Sequence, residues 1–248
     1  MRIREVSFLS TAVLLAASVM AQDVTGTVLI KKKLTKPSVT EPVSVYQRGT
    51  TVKLGKDASE DPVAFERSRV VVYLEGPQQS SISASDDGLQ QIQQIDRRFS
   101  PDLLVVPVGS TVSFPNMDPI FHNIYSLSKP KTFDLGSYDK GETRKVQFSK
   151  PGIVEIYCHL HPNMAATVFV TPNHWYARPD PSGLFRIPNV PPGRYTIVAW
   201  HRAAGFFRQP LAVERGHNSS AVFFIPLEVQ EKQDAHEKAS SAPLEGSR

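Results

Sequence analysis

Short apolar runs, separated by glycine, proline and polar residues, recur along most of this chain. Runs of this kind, rich in Val, Ile, Thr and Phe, predict β-strands, because an amphipathic helix needs a longer segment with a 3.6-residue period. Two clear strands are predicted near the N-terminus, at residues 24–30 and 69–75. The polar segment between them predicts a long excursion, with short strands at 43–46 and 51–54.

Apolar runs are most closely spaced between residues 89 and 172. Strands are predicted there at 91–95, 103–108, 111–114, 131–135, 143–148, 153–157 and 166–170. Short strands at this spacing are typical of a β-sandwich. Further strands follow turns that contain proline and glycine, and the polar tail at 229–248 predicts disorder. The pattern as a whole predicts an all-β protein.

Residues 1–21 predict a secretory signal peptide. Arg2 and Arg4 form a basic start, Phe8–Met20 an apolar centre, and residues 19–21 a small-residue cleavage site. An uncleaved N-terminal anchor is the alternative, but the apolar run is short for a bilayer. No later stretch of the sequence is apolar and long enough to cross a membrane. We therefore expect a periplasmic or secreted protein without stable membrane insertion.

The charge of the chain argues against nucleic acid as a partner. The formal net charge is +4, which is mild for 248 residues. Basic residues are scattered except at Lys31–Lys33, and a solvated loop explains that triplet better than a binding patch does.

The only cysteine of the chain, Cys158, is followed by His161 and Met164 at three-residue spacing. An exported protein usually pairs its cysteines in disulfides. A lone thiol therefore suggests that another bond, such as a metal–thiolate bond, protects the sulfur from oxidation. With the upstream His122, these residue types are the ligand set of a blue-copper site. Zinc is an alternative, although methionine is an unusual zinc ligand. His159 remains a second candidate for the loop imidazole, but a residue next to Cys158 on a strand points to the opposite face.

Two further residues are expected to support these ligands. Pro162 restricts the backbone of the loop that carries Cys158 and His161. Asn123, directly after His122, is placed to brace that loop through hydrogen bonds.

Residues 89–172 resemble the cupredoxins. Within this plastocyanin- and amicyanin-like family, the Cys-x-x-His-x-x-Met loop looks like that of the amicyanins and is shorter than the plastocyanin loop. Three other motifs are similar to the same family: Phe114–Asp118 followed by His122-Asn123, Phe133–Tyr138, and Lys150-Pro151-Gly152. The resemblance implies a Greek-key β-sandwich with one mononuclear type 1 copper site held by His122, Cys158, His161 and Met164. It also implies electron transfer with a redox partner protein. The electron would leave the protein through the loop histidine, His161. An apolar patch for docking of the partner would surround it, formed by Leu160, Pro162, Pro119 and Ile120.

Residues 174–228 resemble the carboxypeptidase regulatory-like (transthyretin-like) β-sandwich, an Ig-like architecture. The marker runs from Asp180 to Tyr195, with its Ser-Gly-Leu-Phe and Pro-Pro-Gly-Arg-Tyr segments. Such modules open with strands like those predicted at 24–30 and 69–75. The resemblance therefore implies a split sandwich, made of residues 22–88 and 173–228, into which a cupredoxin domain at 89–172 is inserted. Two consecutive domains with an N-terminal extension are the alternative.

The sequence favours an electron carrier over an enzyme. It shows no Ser-His-Asp arrangement, Gly-rich phosphate loop or acidic catalytic pair, and a catalytic copper enzyme normally needs more ligand histidines. Two other classes stay open: a periplasmic copper-binding or copper-handling protein without a redox role, and a structural or adhesion protein. Redox cycling distinguishes the electron carrier from both.

Overall fold

The computed structural model describes residues 22–35, 61, 63–76 and 90–225. Apart from one short helix, the secondary-structure elements of the described chain are all strands, which confirms the predicted all-β class. Its elements are β1 Gln22–Ile30, α1 Ala64–Ser68, β2 Val70–Glu75, β3 Gln93–Ile95, β4 Arg98–Ser100, β5 Leu103–Pro107, β6 Thr111–Pro115, β7 His122–Ser128, β8 Lys131–Tyr138, β9 Thr143–Gln147, β10 Gly152–Tyr157, β11 Ala165–Thr171, β12 Tyr176–Ala177, β13 Leu184–Val190, β14 Gly193–His201, β15 Gly205–Val213 and β16 Ser219–Ile225. The signal peptide, the strands predicted at 43–46 and 51–54, and the tail at 229–248 lie outside the described residues.

The strands between residues 90 and 171 form a β-sandwich. One layer is a five-stranded sheet in the order β5-β11-β10-β7-β8, with β5 parallel to β11 and the other pairs antiparallel. The other layer consists of the ribbons β3–β4 and β6–β9. Alternate residues of each strand face inward, so Val154 and Ile156 of β10 are fully buried against Phe114 of β6 and Phe148.

A second apolar core lies between two other sheets, in the orders β13-β1-β16 and β12-β2-β14-β15. Here β1 pairs with β13 and, in parallel, with β16, while β2 pairs with β12 and β14. Strands from before residue 77 therefore lie beside strands from after residue 175. At Gly26 the strands approach so closely that a Cβ atom would lie 2.1 Å from the carbonyl oxygen of Ala221, which explains the glycine.

The two groups of sheets are joined through an apolar contact. Phe169 on the outer face of β11 packs between Tyr73 and Trp200, with ring-centroid distances of 5.6 and 4.8 Å. Arg202 pairs with Glu155 at 2.9 Å at the edge of this contact. Trp200 is therefore buried at the junction of the two groups of sheets.

Several elements differ from the sequence-based expectation. Helix α1 was not predicted, because one turn and a half gives too short a periodic signal. Strand β4 was missed for the same reason of length, and the edge strand expected at 91–95 begins only at Gln93. The sequence did not predict strand β7, because its buried positions include the polar residues His122, Asn123 and Ser126. Apolar and polar residues therefore do not alternate along this strand. None of the described helical residues form a segment long and apolar enough to span a membrane.

Candidate metal centre

Three metal-binding side chains meet at one end of the 90–171 sandwich. His122 is the first residue of β7, Cys158 directly follows β10, and His161 lies in the loop between β10 and β11. Their donor atoms form a triangle: Nδ1 of His122 lies 3.2 Å from Nδ1 of His161, and the Cys158 sulfur lies 3.9 and 3.6 Å from these two nitrogens. Among the described residues, these three form the group of His, Cys, Asp or Glu side chains whose donor atoms are close enough to hold a metal ion.

The size of the triangle fits one first-row transition-metal ion. With bonds of about 2.0 Å to imidazole and about 2.3 Å to thiolate, a trigonal ion places its donors roughly 3.5–3.7 Å apart. The observed separations bracket that range. Without a metal, the short contact between the two Nδ1 atoms requires a proton on one of them. The donor set is nitrogen and soft sulfur, which suits copper or zinc and not magnesium or calcium.

The ring of His122 is oriented by Asp118. Nε2 of His122 lies 2.8 Å from Oδ2 of Asp118 and donates to it, which leaves the Nδ1 lone pair directed at the triangle. The backbone N–H groups of Asp96 and Arg97 donate to the same carboxylate at 2.7 and 2.8 Å. Burial would raise the pKa of Asp118, but these bonds from Arg97, His122 and Asp96 outweigh it and lower the pKa. Asp118 is thus a buried carboxylate that stays ionised.

The loop that carries Asp118 is fixed by the buried Asn116. Its side-chain amide donates to the carbonyl groups of Ile120 and Tyr138, at 2.8 and 3.1 Å, and its oxygen accepts from the N–H of Asp118 at 3.0 Å. The approach of the chain to His122 is therefore set by side-chain bonds and not by a regular element. Sequence reasoning noted both residues as part of a motif but gave neither a role.

His161 lies closer to solvent than His122. Burial is the main cause that lowers the pKa of His161, with the neighbouring charges of His122 and Arg97 adding to it and Asp118 opposing it. A lowered pKa keeps the imidazole neutral, and only the neutral form offers a lone pair to a metal.

Met164 is buried in the same apolar cluster as Cys158. Its N–H donates to the carbonyl oxygen of His161 at 3.0 Å and closes the turn between the two residues. The loop thus carries Cys158, His161 and Met164 in a compact conformation, with Pro162 exposed at its tip.

His159 lies away from the triangle. Its half-exposed ring stacks on Tyr125 with a centroid distance of 3.8 Å, and Nε2 lies 3.6 Å from Asp134. Asn123 donates to the same Asp134 at 2.7 Å. No hydrogen bond from Asn123 to the ligand loop is found among the described residues, so its link to the loop runs through Asp134 and His159.

Among known proteins, the chain is similar to solved structures, and the other two comparisons found no match. No family model matches the chain, and no curated protein matches it. Amicyanin, in the reduced form of a mutant, matches at 22% identity over 40% of this chain and 99% of its own, with a TM-score of 0.33. A purple cupredoxin from Nitrosopumilus maritimus matches at 29% over 33% of this chain and 98% of its own, with a TM-score of 0.30. A copper-containing nitrite reductase from Thermus scotoductus matches at 26% over 39% of this chain, with a TM-score of 0.33, and this match spans only 25% of the reductase chain.

Proposed function

We propose that this protein is an exported copper protein with one type 1 site, and that it carries single electrons between redox partners. The observation that supports this most directly is the triangle formed by His122, Cys158 and His161, which has the size of a metal site and contains the only cysteine. A thiolate with two imidazoles is the in-plane donor set of blue-copper sites.

In this proposal the three residues of the triangle would hold the metal, and the thioether of the nearby Met164 would be a further, weak ligand. Copper would supply the one-electron couple. The protein keeps the donors in place: Asp118 fixes the tautomer and orientation of His122, and the turn closed by Met164 fixes His161 relative to Cys158. Donors held by bonds on several sides move little between oxidation states, which favours rapid electron transfer.

We assign the remaining chain by the same proposal. Residues 1–21 are a signal peptide, 89–172 a cupredoxin domain, 22–88 with 173–228 a regulatory-like (transthyretin-like) sandwich, and 229–248 a tail. The pairing of β1 with β16 and of β2 with β14 supports this division. The protein would act outside the cytoplasm and would not itself be an enzyme.

The test is the visible absorption of the mature protein after addition of Cu(II), with Cys158→Ala as the control. A type 1 site gives an intense thiolate-to-copper band that reductant bleaches reversibly and that the control lacks. A protein that binds copper without this band, or that cannot be cycled between oxidation states, would refute electron transfer as the function.

A further inference from the structure

The turn between β3 and β4 has a strained backbone beside the metal centre. Ile95 pairs with Arg98, so Asp96 and Arg97 are the two central residues of a tight hairpin turn, with φ values of 54° and 55°. Turns of this mirror-image type normally use Asn-Gly or Asp-Gly, because most residues with a Cβ are disfavoured in the left-handed region; Arg97 therefore stands where glycine is usual. A site that keeps an arginine under this strain is a candidate for a function of that side chain.

The buried Asp118 holds this turn in place. Its carboxylate accepts both strained N–H groups and, through the same Oδ2 atom that binds Arg97, the Nε2–H of His122. The turn therefore has a fixed position relative to the metal ligand, and the side chains of Arg97 and Arg98 project from a rigid base.

A cleft of about 790 Å³ lies between this turn and the β6–β7 loop. It is lined by residues 95–100 and by Asp118, Pro119 and Ile120. Arg97 and Arg98 are exposed and form no ion pair within the described chain, whereas the carboxylate of Asp118 is buried and already bonded. Among the lining residues, the exposed charges are the two guanidinium groups and the carboxylate of Asp96, so the charge that faces solvent is positive, whereas the negative charge of Asp118 is buried against the turn and His122.

Exposed apolar side chains surround the same end of the sandwich. They belong to both loops and to the hairpin: Ile95, Met117, Ile120, Phe121 and Leu160. An apolar centre with a charged rim is the usual composition of a protein interface, and the rim charges select the partner and accelerate association.

From this arrangement we infer that the face around His161 docks a redox protein whose contact surface carries carboxylates, and that Arg97 and Arg98 recognise them. This inference rests on the proposed electron-transfer function and names the chemistry of its partner. Two guanidinium groups on a rigid turn can each bind a carboxylate in a bidentate manner, and their field attracts an acidic surface over a distance of about one Debye length.

The test measures electron transfer from two donors to the oxidised copper protein by stopped flow. Each donor gives one electron, which reduces Cu(II) to Cu(I). The first donor is a soluble ferrous b-type cytochrome whose haem edge is ringed by carboxylates, and the second is the cation hexaammineruthenium(II). The variant is Arg97→Gln/Arg98→Gln, and the matched control is Arg194→Gln/Arg215→Gln, which removes the same charge from the other group of sheets.

At low ionic strength, we expect the Arg97/Arg98 variant to react with the cytochrome about five- to tenfold more slowly, and the control less than about twofold. Salt should slow the wild type towards the rate of the variant. The variant should react with the ruthenium cation at least as fast as the wild type. Equal slowing by both variants, or no slowing by either, would overturn the inference. If the wild type shows no type 1 band and neither donor reduces it, the proposed function itself fails.

A second variant separates recognition from a purely structural role. Arg97→Gly relieves the strained φ of 55° and should raise the unfolding temperature. If Arg97 recognises the partner, this more stable protein is nevertheless slower with the cytochrome. A variant that is more stable and equally fast would show that Arg97 has no part in docking.

Discussion

Nε2 of His122 donates a hydrogen bond to Oδ2 of Asp118 over 2.8 Å, and both side chains are buried. The carboxylate increases the electron density that the imidazole offers through Nδ1, and it places a negative charge close to the metal centre. If copper binds as proposed, its oxidised form would have the larger positive charge, so the negative charge of Asp118 would favour the oxidised state.

Replacing Asp118 with asparagine should therefore raise the reduction potential of the bound copper, by tens of millivolts on the order expected for one partly screened charge. Asparagine has the same size but keeps a single acceptor oxygen, so it can accept from the N–H group of Asp96 or of Arg97 and not from both. Protein-film voltammetry of this variant, with the exposed Asp139→Asn as control, measures the shift. An unchanged or lower potential would contradict this account of Asp118.

The two loop histidines should respond differently to substitution. His161→Gln removes a donor of the triangle and should abolish or strongly change the thiolate-to-copper band. His159→Gln should leave the band intact, because that ring stacks on Tyr125 outside the triangle. Visible and electron paramagnetic resonance spectra of both variants make the comparison, and loss of the band in the His159 variant would reverse the assignment.

A second buried pair predicts loss of stability in mild acid. His201 is fully buried; its Nε2 lies 3.1 Å from Glu66, and its Nδ1 accepts the N–H of Ala203 at 3.2 Å. Protonation of Nδ1 would break the latter bond. Burial lowers the pKa of His201 below its usual 6.5, against the opposing charge of Glu66.

Because the folded state prefers neutral His201, the unfolded chain binds more protons once the pH falls below the usual histidine pKa. The free energy of unfolding should therefore decrease as the pH is lowered from about 7.5 to about 5.5, and less steeply in His201→Gln. Urea titrations at several pH values test this. Equal slopes in both proteins would show that another group causes the pH dependence.

Phe169 should couple the two groups of sheets. Phe169→Ala removes a ring that is buried between Tyr73 and Trp200, which should cost about 3–5 kcal/mol and separate thermal unfolding into two transitions. Differential scanning calorimetry detects the separation. The control Phe224→Ala, on an exposed face, should change the stability by less than about 1 kcal/mol.

The parts of the fold that sequence predicted well are those with a strong period-two signal. Strands such as β10 alternate buried and exposed positions, and their ends carry glycine or proline. The spacing of Cys158, His161 and Met164 is a local property of one loop, so it could be recognised without knowing the fold. These three residues lie near His122 only because β7 and β10 are neighbours in one sheet. The local sequence does not show that neighbourhood, and it was predicted from the resemblance to the cupredoxins.

The residues that sequence did not reveal act through tertiary contacts. Asp118 lies four residues before His122, and that spacing has no special meaning outside a helix; only the irregular loop fixed by Asn116 brings the two together. The sequence did not reveal the strained turn at Asp96 and Arg97, because arginine stands where a turn of this type normally has glycine. An acid shortly before a candidate ligand histidine was the available signal.

The parallel pairing of β1 with β16 has a consequence for how the chain folds. Val24 lies beside Ser219, so the first described strand cannot complete its sheet until the last one has been synthesised. Strands between residues 90 and 171 find their partners within that segment, which gives them much lower contact order and faster closure. The end of the sandwich that carries Cys158 can therefore form while β1 and β2 still lack their neighbouring strands, and the unpaired edges of these two strands are then open to aggregation.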